Sequence, residues 1–128
     1  MANQYVDVGV ASKIGTYSDG MLVDPGARWL FTSGTPGLNA AGATPEGITA
    51  QADQAWKHVI AMLEQAGMTV HDLVKVTHYL IRSEDIKPYV QVRARYLGDA
   101  RPASMLVVVP ALVRPEFLVE VEAIAAKR

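Results

Sequence analysis

Apolar residues follow helical spacing in two segments of the chain and alternate with polar residues in several shorter ones. The first helical pattern begins at Thr49, a residue type that caps helix N-termini, and ends at Gly67, whose backbone freedom suits a helix C-terminus. A second helix is predicted over residues 86–97, with Pro88 in its first turn. The apolar face of the first helix consists of Ala52, Ala55, Trp56, Val59, Leu63 and Ala66.

Shorter apolar runs predict strands before, between and after these helices. We expect them near residues 6–10, 21–23, 28–33, 73–81, 105–109 and 116–126. A turn at residues 24–26, Asp-Pro-Gly, predicts that the second and third strands form a hairpin. Residues 33–47 are rich in Gly, Pro, Ala and Thr and predict a long loop. The order favours an α+β fold with a mixed sheet and two helices on one face, in one domain spanning residues 1–128.

The last predicted strand has two different faces. One is apolar and should meet the helices: Phe117, Val119, Val121 and Ala123. The other carries two carboxylates between apolar residues: Leu118, Glu120, Glu122 and Ile124. An apolar patch of this kind is uncommon on a monomer, so we expect other subunits to cover this face. Two glutamates covered in that way would be costly to bury, which points to a function.

Composition excludes several classes of function. Twelve Lys and Arg residues against 13 Asp and Glu residues give a net charge of −1, which disfavours nucleic-acid binding. The absence of cysteine removes disulfides and thiolate chemistry, and the three histidines lack metal-ligand spacing, so we expect no metal and no cofactor. Neither a signal peptide nor an apolar run long enough for a membrane helix is visible, so a soluble cytoplasmic protein is expected.

Five short motifs follow one another along the chain. They are Ile-Gly-Thr-Tyr-Ser at residues 14–18, Phe-Thr-Ser-Gly-Thr-Pro at 31–36, a Gln-to-Ala-Gly helix at 51–67, Asp-Leu-Val-Lys-Val-Thr at 72–77 and Val-Glu-Val-Glu-Ala-Ile-Ala at 119–125. In their order and spacing they resemble the motifs of the Rid (YjgF-type) reactive-intermediate deaminase family.

The resemblance implies a chorismate-mutase-like fold that assembles as a homotrimer with clefts between subunits. It also implies hydrolysis of an enamine or imine, a small-molecule substrate, with release of ammonia. Glu120 matches the glutamate that activates water, and burial would raise its pKa toward neutrality. Tyr17, Ser33 and Gly34 match positions that line the cleft, and we interpret Glu122, on the same face as Glu120, as a structural or hydrogen-bonded neighbour.

The chain departs from the family pattern at Ser104. The family's Pro-Ala-Arg-Ser segment would place there the arginine that binds the substrate carboxylate, and serine cannot replace a bidentate cation. Leu106 and Val90 replace a cysteine and an asparagine found in many members. We therefore expect Ser104 to line a site whose substrate is not the usual small 2-imino acid but a larger or less acidic compound, such as an aminomuconate-like intermediate.

Other polar residues are weighed against simpler structural roles. Arg101 lies three positions before Ser104, a spacing that moves its side chain along the strand and to the other face. His78 lies on an apolar strand face and is interpreted as a satisfied core residue. Three further cations are candidates for an anionic substrate group but are interpreted as solvated surface charges: Arg93, Arg95 and Arg114.

Three functions remain open. The first is a hydrolytic deaminase that uses Glu120. The second is a non-catalytic trimer of the same fold that binds a small metabolite or acts as a regulatory or interaction module, which the loss of the family arginine favours. The third is a ribonuclease, an activity that some family members carry, and the balanced charge disfavours it.

Overall fold

A computed structural model describes residues 2–128 of the chain. Nine strands and helices follow one another along these residues, with three short 3₁₀ helices between them. In chain order they are β1 (Gln4–Val6), β2 (Gly20–Leu22), β3 (Arg28–Phe31), β4 (Thr35–Pro36), α1 (Ile48–Gln65), β5 (Leu73–Leu80), α2 (Ile86–Leu97), β6 (Ala103–Val108) and β7 (Val119–Lys127). No helix among residues 2–128 combines the length and apolar character needed to cross a bilayer.

The main sheet has five strands and mixed polarity. β7 runs antiparallel to β5 on one side and to β3 and β4 on the other, and β6 lies parallel to β5 at the edge. Because β5 and β6 are parallel, the chain must cross over between them, and α2 forms that crossover. The predicted α+β arrangement, two helices packed on a mixed sheet, is confirmed.

The core lies between the two helices and the inner face of the sheet. Trp56, Val59 and Leu63 of α1 are fully buried, as the helical spacing predicted. The alternation of β7 is also confirmed, since Val119, Val121 and Ala123 are buried. The residues between them on β7 are only partly buried and lie on the outer face of the sheet.

The N-terminus of α1 differs from the prediction, whereas its C-terminus agrees with it. The helix begins at Ile48, and its N-cap is Gly47, with a positive φ of 87°, rather than Thr49. Gly47 takes this position because glycine reaches a positive φ without a Cβ clash. At the other end Gly67 has a φ of 71° and ends the helix as predicted.

The predicted N-terminal hairpin is wrong. β2 pairs with β1, whereas β3 pairs with β7. The Asp19 carboxylate accepts hydrogen bonds from the backbone N–H groups of Val8 and Ala11 at 2.7 and 2.8 Å, and so holds the connection that returns β2 to the side of β1. These bonds fold residues 7–19 into a loop, so the first strand ends at Val6 and does not continue to Val10.

The chain bulges outward between β3 and β4. Phe31 lies opposite Ile124, and Thr35 lies opposite Val121, so four residue steps on one side match three on the other. An extra residue of this kind bends the strand and pushes its backbone out of the ladder. Ser33 and Gly34 occupy this bulge, beside β7.

Candidate active site

Glu120 lies on the outer face of β7, between the buried residues Val119 and Val121. The strand turns alternate side chains to opposite faces, so the carboxylate points away from the helices. Its side chain is half-buried, and burial raises the pKa of the Glu120 carboxyl above its ordinary value. Among residues 2–128, no side chain forms a hydrogen bond or an ion pair with this carboxylate.

Glu122 is in a different situation, although it lies only two residues further along the same face. The Tyr79 hydroxyl donates a hydrogen bond to Glu122 Oε1 at 3.3 Å. Burial, and then the charge of Glu122, raise the pKa of Tyr79, so this hydroxyl stays protonated and remains a donor. Glu122 is therefore a hydrogen-bonded neighbour of the site, whereas Glu120 keeps both oxygens free.

Gly34 lies directly against the Glu120 carboxylate. A Cβ atom added at Gly34 would come within 2.5 Å of Glu120 Oε1, closer than real Cβ contacts. The position therefore requires glycine if Glu120 keeps its place. Ser33 is exposed beside it, and its carbonyl oxygen accepts a hydrogen bond from the Thr35 hydroxyl at 3.1 Å. The structure thus brings Ser33, Gly34 and Glu120 together.

Tyr17 and Ser104 line a separate cleft of about 610 Å³ at the opposite edge of the sheet. Its walls are the segment 14–17, one face of α2 and the middle of β6. Ser18 holds the first wall in place, because its backbone N–H donates to Pro102 O at 3.3 Å and its hydroxyl donates to Arg101 O. The predicted site residues therefore fall into two groups within one chain: Ser104 lies with Tyr17, and both lie apart from Glu120.

A buried chain of hydrogen bonds leads to Ser104 from the core. Trp56 Nε1 lies 3.2 Å from Tyr89 Oη, and the Tyr89 hydroxyl contacts His78 Nδ1. His78 Nε2 lies 3.0 Å from Ser104 Oγ. His78 is fully buried, and this burial lowers its pKa to about 3, so the imidazole is neutral. The prediction that His78 is a satisfied core residue agrees with this geometry.

The direction of each bond in the chain follows from its donors. The indole N–H can only donate, so Tyr89 Oη accepts from it, and His78 Nδ1 is then the one partner among the described residues that can accept the buried Tyr89 proton. A neutral imidazole that accepts at Nδ1 carries its proton on Nε2, so His78 donates to Ser104 Oγ. His78 in this tautomer cannot take a proton from Ser104, and the pair cannot act as the base and nucleophile of a serine hydrolase.

Arg93 lines the same cleft, contrary to the prediction of a solvated surface charge. It lies half-buried on α2, with its guanidinium carbon 6.0 Å from the centre of the Tyr89 ring. Helical spacing explains its direction, because Ile86, Val90 and Arg93 recur at intervals of four and three residues and form the α2 wall. That spacing was visible in the sequence, but nothing in the sequence showed which face of α2 is open.

The other candidate cations lie elsewhere. Arg101 donates to the carbonyl oxygens of Gly98 and Ala100 at 2.9 Å, and so binds the C-terminal end of α2. Arg114 and Arg95 are exposed, as expected for surface charges. Within the described part of the chain, no three His, Asp or Glu side chains gather as metal ligands would.

The two groups of residues lie on opposite faces of one sheet. Ser104 bonds to His78, which faces the helices, whereas Glu120 lies on the face away from them. Within one chain they cannot contact the same small molecule. One group offers a carboxylate with free oxygens beside bare backbone, which suits a base that activates water. The other offers a cation and a hydroxyl, which suit an anion.

Comparison with known proteins identifies the family. The family model described as endoribonuclease L-PSP matches residues 10–127. A 2-iminobutanoate/2-iminopropanoate deaminase from Salmonella typhimurium is 33% identical over 121 residues, covering 90% of each chain. A RutC family protein from Pyrococcus abyssi is 33% identical over 130 residues and covers 99% of each chain.

A solved structure agrees with these sequence matches. The crystal structure of a protein of unknown function of the conserved Rid family from Yersinia pestis superposes with a TM-score of 0.85, at 25% identity. That superposition covers 99% of this chain and 100% of the other. Because the sequence match and the fold each extend over nearly the whole length, the chain belongs to the Rid (YjgF) family, whose family model carries the description endoribonuclease L-PSP.

Proposed function

We propose that this protein is a hydrolytic deaminase of an imine or enamine metabolite, with water activated by Glu120. The observation that carries the proposal is the half-buried Glu120 carboxylate, which has no partner among the described residues and lies against the backbone of Gly34. A raised pKa makes a carboxylate a stronger base, and its free oxygens leave room for a water molecule. The named deaminase relative supports the reaction class.

The proposed reaction balances with water alone. Glu120 removes a proton from water as the hydroxide adds to the carbon of the C=N bond, and it passes that proton to the nitrogen, giving a carbinolamine. Glu120 then takes the proton of the carbinolamine hydroxyl and delivers it to the amino group, which leaves as ammonia while a carbonyl compound remains. No cofactor or metal takes part in this sequence.

We further propose that the cleft with Ser104 and the Glu120 group come together between subunits of a homotrimer. The opposite orientation of the two groups supports this, because one chain cannot close a site from both faces of its sheet. Exposed aromatic residues support it as well, since Trp29 and Phe31 stack on the face that carries Glu120. Each site would then take its base from one chain and its anion-binding groups from the next.

The test is ammonia release from freshly generated imines and enamines, both small 2-imino acids and aminomuconate-type compounds. We expect turnover above spontaneous hydrolysis, and a loss of about 100-fold or more in Glu120→Gln, because a general base contributes that much. Glu122→Gln is the matched control, since it changes the same residue type on the same face, and it should keep most of the activity.

Two outcomes would contradict the proposal. Full activity in Glu120→Gln, at unchanged thermal stability, would remove the role of this residue. If the wild-type protein released no ammonia from any compound of the panel, the result would instead favour the non-catalytic trimer that binds a small metabolite. That alternative has one observation in its favour, the serine at position 104 in place of the family's usual arginine.

A further inference from the structure

The cleft beside α2 holds a positive charge that no carboxylate among the described residues pairs with. Arg93 is half-buried there, and no Asp or Glu among residues 2–128 forms an ion pair with it. A guanidinium that gives up part of its hydration without a partner is costly to keep. Burial lowers the pKa of Arg93, and its guanidinium carbon lies 6.0 Å from the centre of the Tyr89 ring, beside the buried hydrogen bonds of Tyr89 and His78.

Ser104 provides a hydrogen-bond donor in the same cleft. Its oxygen already accepts from His78, at 3.0 Å, and its own proton has no acceptor among the described residues. The direction from Trp56 through Tyr89 and His78 is favoured because the reverse one would leave the buried Tyr89 hydroxyl proton without an acceptor among the described residues. Ser104 is therefore fixed as a donor toward the cleft.

We infer that Arg93 and Ser104 together form the binding subsite for the carboxylate of the substrate. The inference deepens the proposed deaminase function and rests on it for the identity of the ligand as an imino or enamino acid. A guanidinium and a hydroxyl that both donate match the two oxygens of a carboxylate. The cation reaches the cleft from α2 instead of from β6, where the family pattern has its arginine.

This arrangement gives a reason for the serine at position 104. A second arginine there would bring another guanidinium into a cleft that already holds the one of Arg93, and like charges at short range repel. A serine avoids that repulsion and leaves space between β6 and α2. The substrate is then an acid, as in the named deaminase relative, but its carboxylate is bound from the helix side of the cleft.

The subsite can be tested by binding, without turnover. Calorimetric titration compares 2-oxobutanoate, a carboxylate of the product class, with its neutral amide. We expect the wild-type protein to prefer the carboxylate, and Arg93→Gln to weaken carboxylate binding about tenfold or more while leaving the amide unchanged. Ser104→Ala should weaken the carboxylate about fivefold, the typical effect of one hydrogen bond.

Arg95→Gln is the matched control, because it removes the same charge two residues further along α2, where the side chain is exposed. Equal binding in Arg93→Gln and wild type, or no preference for the carboxylate in wild type, would overturn the inference. The measurement is separable from the proposed function. Arg93-dependent binding without deamination would support the subsite and contradict the deaminase function. Turnover that depends on Glu120 but is unchanged in Arg93→Gln would support the deaminase function and contradict the subsite.

Discussion

Glu120 and Glu122 differ in chemistry because of their neighbours rather than their positions. Both lie on the outer face of β7, but Tyr79 occupies one oxygen of Glu122, whereas Glu120 faces the backbone of Gly34. Desolvation without a compensating hydrogen bond raises the pKa of Glu120. The sequence motif identified both residues, but only the hydrogen bond from Tyr79, which lies opposite Glu120 and reaches diagonally to Glu122, separates the candidate base from its neighbour.

At the residue scale, Gly34 provides a test that leaves the carboxylate itself in place. Gly34→Ala puts a methyl group within 2.5 Å of Glu120 Oε1, so the flexible end of the glutamate must move. We expect kcat/KM for deamination to fall about tenfold or more, because a displaced base loses its alignment with water. The thermal midpoint should change little, since the site is exposed.

Gly20→Ala is the control for this substitution. A Cβ at Gly20 would meet only Val6, at an ordinary contact distance of 3.7 Å, so activity should stay at the wild-type level. If Gly34→Ala kept full activity, the close approach between Gly34 and Glu120 would have no part in the chemistry.

At the scale of elements, His78 joins β5 to both helices through one polar contact chain. Trp56 belongs to α1, Tyr89 to α2 and Ser104 to β6, and each contributes one hydrogen-bonding group. Removing a member would leave a buried donor or acceptor unpaired, at a cost of about 1–3 kcal/mol. The same series of hydrogen bonds that connects these elements also orients the Ser104 hydroxyl in the cleft.

Burial of His78 predicts a pH dependence of stability. Its pKa is about 3 in the native protein, against 6.5 when unperturbed, so below pH 6.5 the unfolded chain binds a proton that the native chain does not. The free energy of unfolding therefore falls as the pH is lowered from 6.5 toward 3, whereas above pH 6.5 His78 no longer affects its pH dependence. Denaturant unfolding at a series of pH values measures this slope.

His78→Gln should flatten that slope, although the variant will be less stable at neutral pH. Tyr89→Phe loses one polar contact of the same buried hydrogen-bond chain but keeps the buried imidazole, so it should keep the wild-type slope and serves as the control. An identical slope in His78→Gln and wild type would show that other groups carry the acid sensitivity and that His78 is not held neutral.

The elements also show how far the sequence could predict this site. Periodicity correctly predicted α2 and the two faces of β7, because burial on one side leaves a repeating pattern. It could not predict that Ser104 meets His78, since 26 residues separate them and their contact depends on the parallel pairing of Val76 with Ser104. It also missed that Arg93 faces the cleft, because a lone arginine on a helix gives no sign of what its face contacts.

At the scale of the whole molecule, the outer face of the sheet is the unusual feature. Phe31 is 68% exposed and lies opposite Ile124, and Trp29 stacks on it at a centroid distance of 6.0 Å. Glu120 shares this face, so a neighbouring subunit that covers the aromatic residues would also enclose the carboxylate. The proposed homotrimer would therefore link assembly to chemistry, because a second chain would complete each site.

The most direct test of that account is complementation between two inactive chains. Glu120→Gln removes the base, and Val90→Trp places an indole ring in the cleft that Val90 lines, between Arg93 and Ser104. Each variant alone should be inactive, with its trimer mass and thermal midpoint checked against wild type. If the base and the cleft come from different chains, trimers assembled from an equal mixture should recover about a quarter of the wild-type deaminase activity, because one site in four combines two intact halves. A mixture that stays as inactive as its components, or a wild-type protein that scatters light as a monomer, would contradict it.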